Sequence, residues 1–444
     1  KDELPQENLL TKEHSDFKKF AKIIIIILLI IILLLAAGII LSFILKKDGE
    51  KGEKGEKGDK GDKGDSGDEG NKSIEEIIKE QTDKYRDAFG GEIIKNLYYA
   101  KDKVNNTFKS GGDNHREEIP IPNKGEDYKA NDFNKYDLYI PYSALKENKT
   151  KGIFIIIHGG AWVGGRKEDN AFLAQIYYEH EFIVANLDYT LLSQTAPSTT
   201  NILRQIDEIT ACIEHLKNYL VERGFNKNEL QVAVGGGSAG GHLALLYSYI
   251  VEKPPLDVKF IIDIIGPINL NIPDFLIVVK DEDTLPDFKP ETIEEALKHR
   301  EKYSHSGIPD NMTLLLLDLF IGGKYAPEEL FKMLKNGTVD PNDERYIALI
   351  NETKFGFPIM WMEREGHKNI PILGEYGGKD QLIGIKQPYI LEQTCKANNI
   401  KFQMVYSRYN THGFIELEHK EGKEAAKEFN YYFLKFADEY FIKY

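Results

Sequence analysis

The stretch LQVAVGGGSAGGHLALLY, residues 230–247, places a single hydroxyl where an apolar run gives way to a helical pattern. Ser238 lies inside Gly236-Gly237-Ser238-Ala239-Gly240, the G-x-S-x-G spacing of a serine held on a sharp strand-to-helix turn. A nucleophilic serine needs such a turn. It exposes Oγ in a strained backbone conformation, the glycines two residues to either side let other backbone pass close by, and the following helix N-terminus favours developing negative charge. The competing use of a glycine-rich strand-to-helix turn is to cradle a phosphate, but no Gly-Lys-Ser/Thr of a P-loop follows these glycines.

A second element lies upstream. His158-Gly159-Gly160-Ala161-Trp162 follows the apolar run GIFIII, and a loop of this kind aims backbone N–H groups at an oxyanion. The expected donors are Gly159, Gly160 and Ala161, joined by Ala239 directly after the serine. A bulky residue at 159 or 160 would block the approach. Together, His158-Gly-Gly-Ala-Trp, Asp188-Tyr189 after the next apolar run and Gly-Gly-Ser238-Ala-Gly-Gly-His resemble the α/β-hydrolase fold in its hormone-sensitive-lipase-like esterase branch, over residues 127–444. The resemblance implies a carboxylic ester hydrolase with a Ser-Asp-His triad in that chain order. It assigns the acid to Asp380, in PILGEYGGKDQLIG, and the base to His412, in VYSRYNTHGF. Glu375 is a rival acid, though it falls within the strand pattern, and His242, His367 and His419 are rival bases. In the implied reaction His412 deprotonates Ser238, an acyl-enzyme forms, and water activated by the same histidine releases the acid. The expected substrate is a short or medium acyl ester, and the chemistry calls for no cofactor and no metal.

Two other readings stay open. Serine peptidases and amidases of the prolyl-oligopeptidase type share G-x-S-x-G-G, although this chain lacks room for their propeller. A catalytically silent adhesion or scaffold protein is the other.

Positioning these residues requires a sheet. Continuous apolar runs GIFIII, FIVANL, LQVAV, FIIDII, IPILGEY and KFQMVY alternate with helical stretches, the mark of an α/β fold with a mostly parallel sheet covered on both faces. An alternating segment, FNKYDLYIP, adds a strand ahead of them. Residues 269–368 break the rhythm with helical patterns such as MTLLLLDLFIGG and PEELFKML, and are expected to cap the site.

The chain of 444 residues has more than this domain. Residues 23–45 carry no charge and are long enough to cross a hydrocarbon core of about 30 Å as a helix. They read as a transmembrane signal anchor, with residues 1–22 as a cytoplasmic tail and the large domain extracytoplasmic; a cleavable signal peptide ending near Ala36-Ala37-Gly38 is the alternative. Residues 49–70 follow with glycine at every third position, as a collagen triple helix requires, and would permit a homotrimer; a single flexible linker is the alternative. Residues 73–126 space their first apolar positions like amphipathic helices and read as a helical linker. A net charge of -14 offers no basic footprint for a nucleic-acid partner. Cys212 and Cys395 lie in helical patterns without metal-ligand spacing and read as buried apolar residues. Asn-x-Ser/Thr sites at Asn71, Asn105, Asn148, Asn311, Asn336 and Asn351 matter only in a host that glycosylates.

Overall fold

Branched aliphatic runs such as IFIII and IVANL suit a strand covered on both faces, because the side chains pack on the pleat and neither face is left for water. In the computed structural model they become members of one eight-stranded sheet. The structure describes residues 91–107, 127–193, 200–271, 277–279, 303–305, 308–378, 380–407, 410–412 and 420–442. All of them belong to the unit Glu69–Tyr444. The strands are β1 (Glu92–Tyr98), β2 (Lys135–Ile140), β3 (Ile153–Ile157), β4 (Ile183–Leu187), β5 (Gln231–Gly237), β6 (Asp257–Ile264), β7 (Ile372–Gly377) and β8 (Phe402–Ser407). Their spatial order is β1-β2-β4-β3-β5-β6-β7-β8. From β4 onward every neighbouring pair is parallel, while β2 pairs with β4, and β1 with β2, antiparallel. This is a mostly parallel α/β sheet, and the six apolar runs and FNKYDLYIP each supply a strand.

The connecting helices are α1 (Ala171–Glu179), α2 (Ile202–Glu222), α3 (Ala239–Ile250), α6 (Lys386–Ala397) and α7 (Lys420–Tyr440). Cys212 on α2 and Cys395 on α6 are free and buried.

The helical linker expected over 73–126 is corrected at residues 92–98, which form β1 and extend the sheet ahead of residue 127. The sequence EIIKNLY misleads because its pairing register shifts between Ile94 and Leu97, where Asn96 has a φ of +58°. That bulge breaks the period-two alternation and leaves apolar residues at helix-like spacing. Lys103–Val104 likewise pairs with Tyr128–Lys129. The span at 23–45 and the glycine repeat at 49–70 lie outside the described residues. Among the described residues no helix is long and apolar enough to cross a membrane.

Within the expected cap, 269–368, the described part holds α4 (Asp310–Phe320), α5 (Glu344–Thr353), the short helices Pro327–Phe331 and Pro358–Met362, and paired strands at Ile277–Val279 with Tyr303–His305 and Leu334–Lys335 with Thr338–Val339. From α4 onward it shares the core of the sheet. Leu314, Phe320, Leu349, Phe355 and Trp361 are buried in the same apolar cluster as β3 and β5.

Helix α2 joins the sheet to the loops that matter for the site. Its buried Glu208 accepts from the Thr190 backbone N–H and hydroxyl, each at 2.6 Å, and from Arg204 Nε at 2.9 Å. Gln205 Nε2 donates to the carbonyls of Trp162, at 3.1 Å, and Thr190, at 2.9 Å. The loops after β3 and β4 are thereby tied to one rigid helix. Removing one partner of a buried ion pair leaves the other charge uncompensated, at a cost of about 3–5 kcal/mol. Arg204→Leu is expected to lose about that much stability, read from urea denaturation midpoints.

Candidate active site

Ser238 follows β5 and is the N-cap of α3, with φ +56° and ψ -122°. A non-glycine residue in that conformation costs of order 1–3 kcal/mol, so its surroundings must enforce it. Two backbone bonds do so: the Ser238 N–H donates to the Ile264 carbonyl at 2.8 Å, and the His242 N–H donates to the Ser238 carbonyl at 3.0 Å. The flanking glycines are required sterically. A Cβ at either Gly236 or Gly240 would stand 2.1 Å from the carbonyl oxygen of Ile157, the last residue of β3.

Parallel strands end at one edge, and the loops after β5, β7 and β8 meet there. His412 Nε2 lies 3.0 Å from Ser238 Oγ, and its Nδ1 lies 2.9 Å from Asp380 Oδ2. The other carboxylate oxygen of Asp380 accepts from the N–H groups of Leu382 at 2.8 Å and Ile383 at 2.9 Å, which fixes the side chain from behind. The Asp380 side chain is buried, whereas His412 keeps partial exposure. The structure thus brings Ser238, His412 and Asp380, drawn from positions 142 and 32 residues apart along the chain, into a single hydrogen-bonded line.

The loop 158–162 has its carbonyls occupied in sequence. The His158 carbonyl accepts from the Tyr189 hydroxyl at 2.9 Å, the Gly159 carbonyl from His158 Nδ1 at 2.7 Å, and the Gly160 carbonyl from the N–H groups of Val163 at 3.1 Å and Gly164 at 2.9 Å. In a planar trans peptide the next N–H points the opposite way. The N–H groups of Gly159, Gly160 and Ala161 therefore face away from those partners, and among the described residues none of them donates to a protein acceptor. Ala239, the first residue of α3, likewise has no intrahelical acceptor for its N–H. Ala161 and Trp162 both have positive φ, +50° and +63°.

The rival residues sit elsewhere. His242 is fully buried between the Trp162 indole, whose Nε1 donates to Nδ1 at 3.1 Å, and the Gly356 carbonyl, 2.8 Å from Nε2. Burial lowers it to about 3. His367 faces the carbonyls of Arg364 and Asn398. His419 lies outside the described residues. Glu375 is enclosed in β7, among the described residues its Oε1 has no hydrogen-bond partner, and burial pushes its carboxyl up to about 8. Sequence reasoning missed Asp263 on β6, whose buried carboxylate accepts from the Tyr376 hydroxyl at 2.5 Å and the Gly266 N–H at 2.9 Å, behind the acid loop. Burial pushes it up to about 7. No local spacing betrays it, because the Tyr376 hydroxyl comes from β7, 113 positions away.

Residues 136–281 match the family model BD-FAE. An AB hydrolase superfamily protein of Schizosaccharomyces pombe is 32% identical over 103 residues, covering 23% of this chain and 28% of that protein. A probable isoprenylcysteine alpha-carbonyl methylesterase of Arabidopsis thaliana is 29% identical over 111 residues, 25% of this chain and 21% of that protein. The matched segments thus span about a quarter of these relatives' own lengths. Among solved structures, esterase B from Lactobacillus rhamnosis superposes with a TM-score of 0.47 at 17% identity, covering 82% of this chain and 94% of that one. A carbohydrate esterase from gut microbiota gives 0.47 at 15% identity, covering 78% and 97%.

The enclosed Glu375 has a measurable signature. A folded-state value of about 8 against an ordinary 4.5 means that between those pH values the folded chain holds a proton the unfolded chain has released. Its contribution is full below about 4.5 and is lost as pH rises through 8. Glu375→Met, which removes the titrating group, is therefore expected to gain stability relative to the wild type as pH rises from 5 to 8, measured as urea midpoints at both ends.

Proposed function

We propose that this chain is a serine carboxylesterase that hydrolyses short or medium acyl esters through an acyl-enzyme on Ser238. The observation that carries this reading is the bridging of Ser238 Oγ and Asp380 Oδ2 by the two ring nitrogens of His412. Serine hydroxyl is a weak nucleophile until a base takes its proton in the transition state. His412 Nε2 is within hydrogen-bond reach of that proton, and Asp380 holds Nδ1–H so that Nε2 is the basic nitrogen. As Oγ attacks the ester carbonyl, negative charge gathers on its oxygen. The N–H groups of Gly159, Gly160, Ala161 and Ala239 are the donors available to meet it. His412 then passes its proton to the departing alkoxide, takes another from the incoming water, and returns it to Ser238 as the acid leaves.

Hydrolysis of p-nitrophenyl esters of increasing acyl length tests the proposal. Wild type is expected to turn them over, best with short or medium chains, and Ser238→Ala to fall by at least about 10³-fold. A fluorophosphonate probe should label the wild type and not Ser238→Ala. Undiminished turnover in that variant would overturn the assignment, absence of both turnover and labelling would favour a silent scaffold, and amide turnover exceeding ester turnover would favour a peptidase or amidase.

The same proposal extends to the first 70 residues. Residues 23–45 are read as a signal anchor and 49–70 as a stalk that holds an extracytoplasmic hydrolase off the bilayer, three chains together. A purified fragment covering residues 48–444 should sediment at three times its monomer mass; a monomer would remove the trimer from the proposal.

A further inference from the structure

The loop that supplies the candidate oxyanion donors is braced from behind by residues from three separate parts of the chain. Trp162 ends that loop, His242 lies one turn into α3 after Ser238, and Gly356 belongs to the insertion. The indole Nε1 can only donate and the Gly356 oxygen can only accept, so the imidazole between them must accept at Nδ1 and carry its proton on Nε2. The rings pack as well. Trp162 stands edge-on to His242, with centroids 5.0 Å apart at 81°, and edge-on to Phe320 of α4, at 4.9 Å and 84°.

His242 touches both halves of the site. Its backbone N–H holds the Ser238 carbonyl, while its ring holds Trp162, the neighbour of Ala161. The Trp162 carbonyl is pinned in turn by the Leu192 N–H at 2.9 Å and by Gln205 Nε2. Two consecutive left-handed residues, Ala161 and Trp162, relax unless their surroundings over-determine them.

We propose that Trp162 and His242 form a positioning pair through which the insertion, at Gly356, sets the distance between the oxyanion donors and Ser238. The proposal rests on the reading of Ser238 as nucleophile. It makes the insertion part of the apparatus that stabilises the transition state, besides any role in shaping the substrate pocket.

Trp162→Phe tests it, because it removes the N–H together with the pyrrole part of the indole and leaves a smaller aromatic ring beside Phe320. A displacement of about 1 Å at a reacting centre can cost about 10²-fold, so kcat for p-nitrophenyl acetate is expected to fall by about 10- to 100-fold with KM little changed. A trifluoromethyl ketone reports the same geometry without turnover. Its carbonyl carbon bonds to Ser238 Oγ, the serine proton moves to His412, and the ketone oxygen becomes an oxyanion. Its affinity should drop by the same factor as kcat, while fluorophosphonate labelling of Ser238 persists. His242→Asn, whose amide oxygen can still accept from Trp162 but whose reach to Gly356 is lost, should lower kcat too. The double variant should be no worse than the poorer single one, since both changes act on one line. With an active wild type, a kcat within twofold for Trp162→Phe, accompanied only by a lower melting temperature, overturns the positioning role and leaves the esterase reading intact. A wild type without turnover overturns both. Failure of both variants to fold assigns the pair to the core alone and overturns the proposal.

Discussion

The site depends on one contact: the crossing of the β5-to-α3 turn against the Ile157 carbonyl at the end of β3. There is no room for a side-chain carbon at Gly236 or Gly240, and the turn between them holds Ser238 at a φ of +56°. Strain of this kind persists only where neighbours fix it. Here the neighbours are the Ile264 carbonyl on the adjoining strand and the first turn of α3. The parallel register then does the rest, since Ile157 pairs with Gly236 and Gly237 with Ile264, which brings the ends of three strands level at the nucleophile.

Around that contact the fold encloses several polar groups that would be cheaper in water. Asp263, Glu375, His158 and His242 are all buried, and burial pushes the two carboxyls up, to about 7 and about 8, and the two histidines down, to about 4 and about 3. The direction is the same in each case: toward the uncharged form, as desolvation demands. For Asp263 and His242 the hydrogen bonds explain their presence, because each joins elements that meet near the nucleophile. Among the described residues Glu375 Oε1 has no such partner.

What could be read from the sequence is what is local. Gly236 to Gly240, the 158–162 loop and the six apolar runs are each a short string whose chemistry is complete in itself. Asp380 and His412 were legible because each sits just beyond a strand, and the likeness to a known family supplied their roles. β1 was misread as helix because a single bulge erased its alternation. The line from Trp162 through His242 to Gly356 was illegible, as it joins residues 80 and 114 positions apart and only the folded register brings them together. Glu208, an unremarkable acid in the middle of an amphipathic helix, was missed for the same reason.

The bulged strand at residues 92–98 carries a consequence for the border of the sheet. β2 is antiparallel and would be the last strand without it, with a row of unpaired N–H and C=O groups open to any passing chain. β1 covers that row and brings its own deterrents: a left-handed Asn96, a register offset, and Lys95, which reaches back to Asp137 and the Tyr139 hydroxyl, each at 3.0 Å. A shortened protein starting after residue 98 would keep every candidate catalytic group and still present a sticky border to its neighbours. The segment that does no chemistry is the one that covers the open edge of β2.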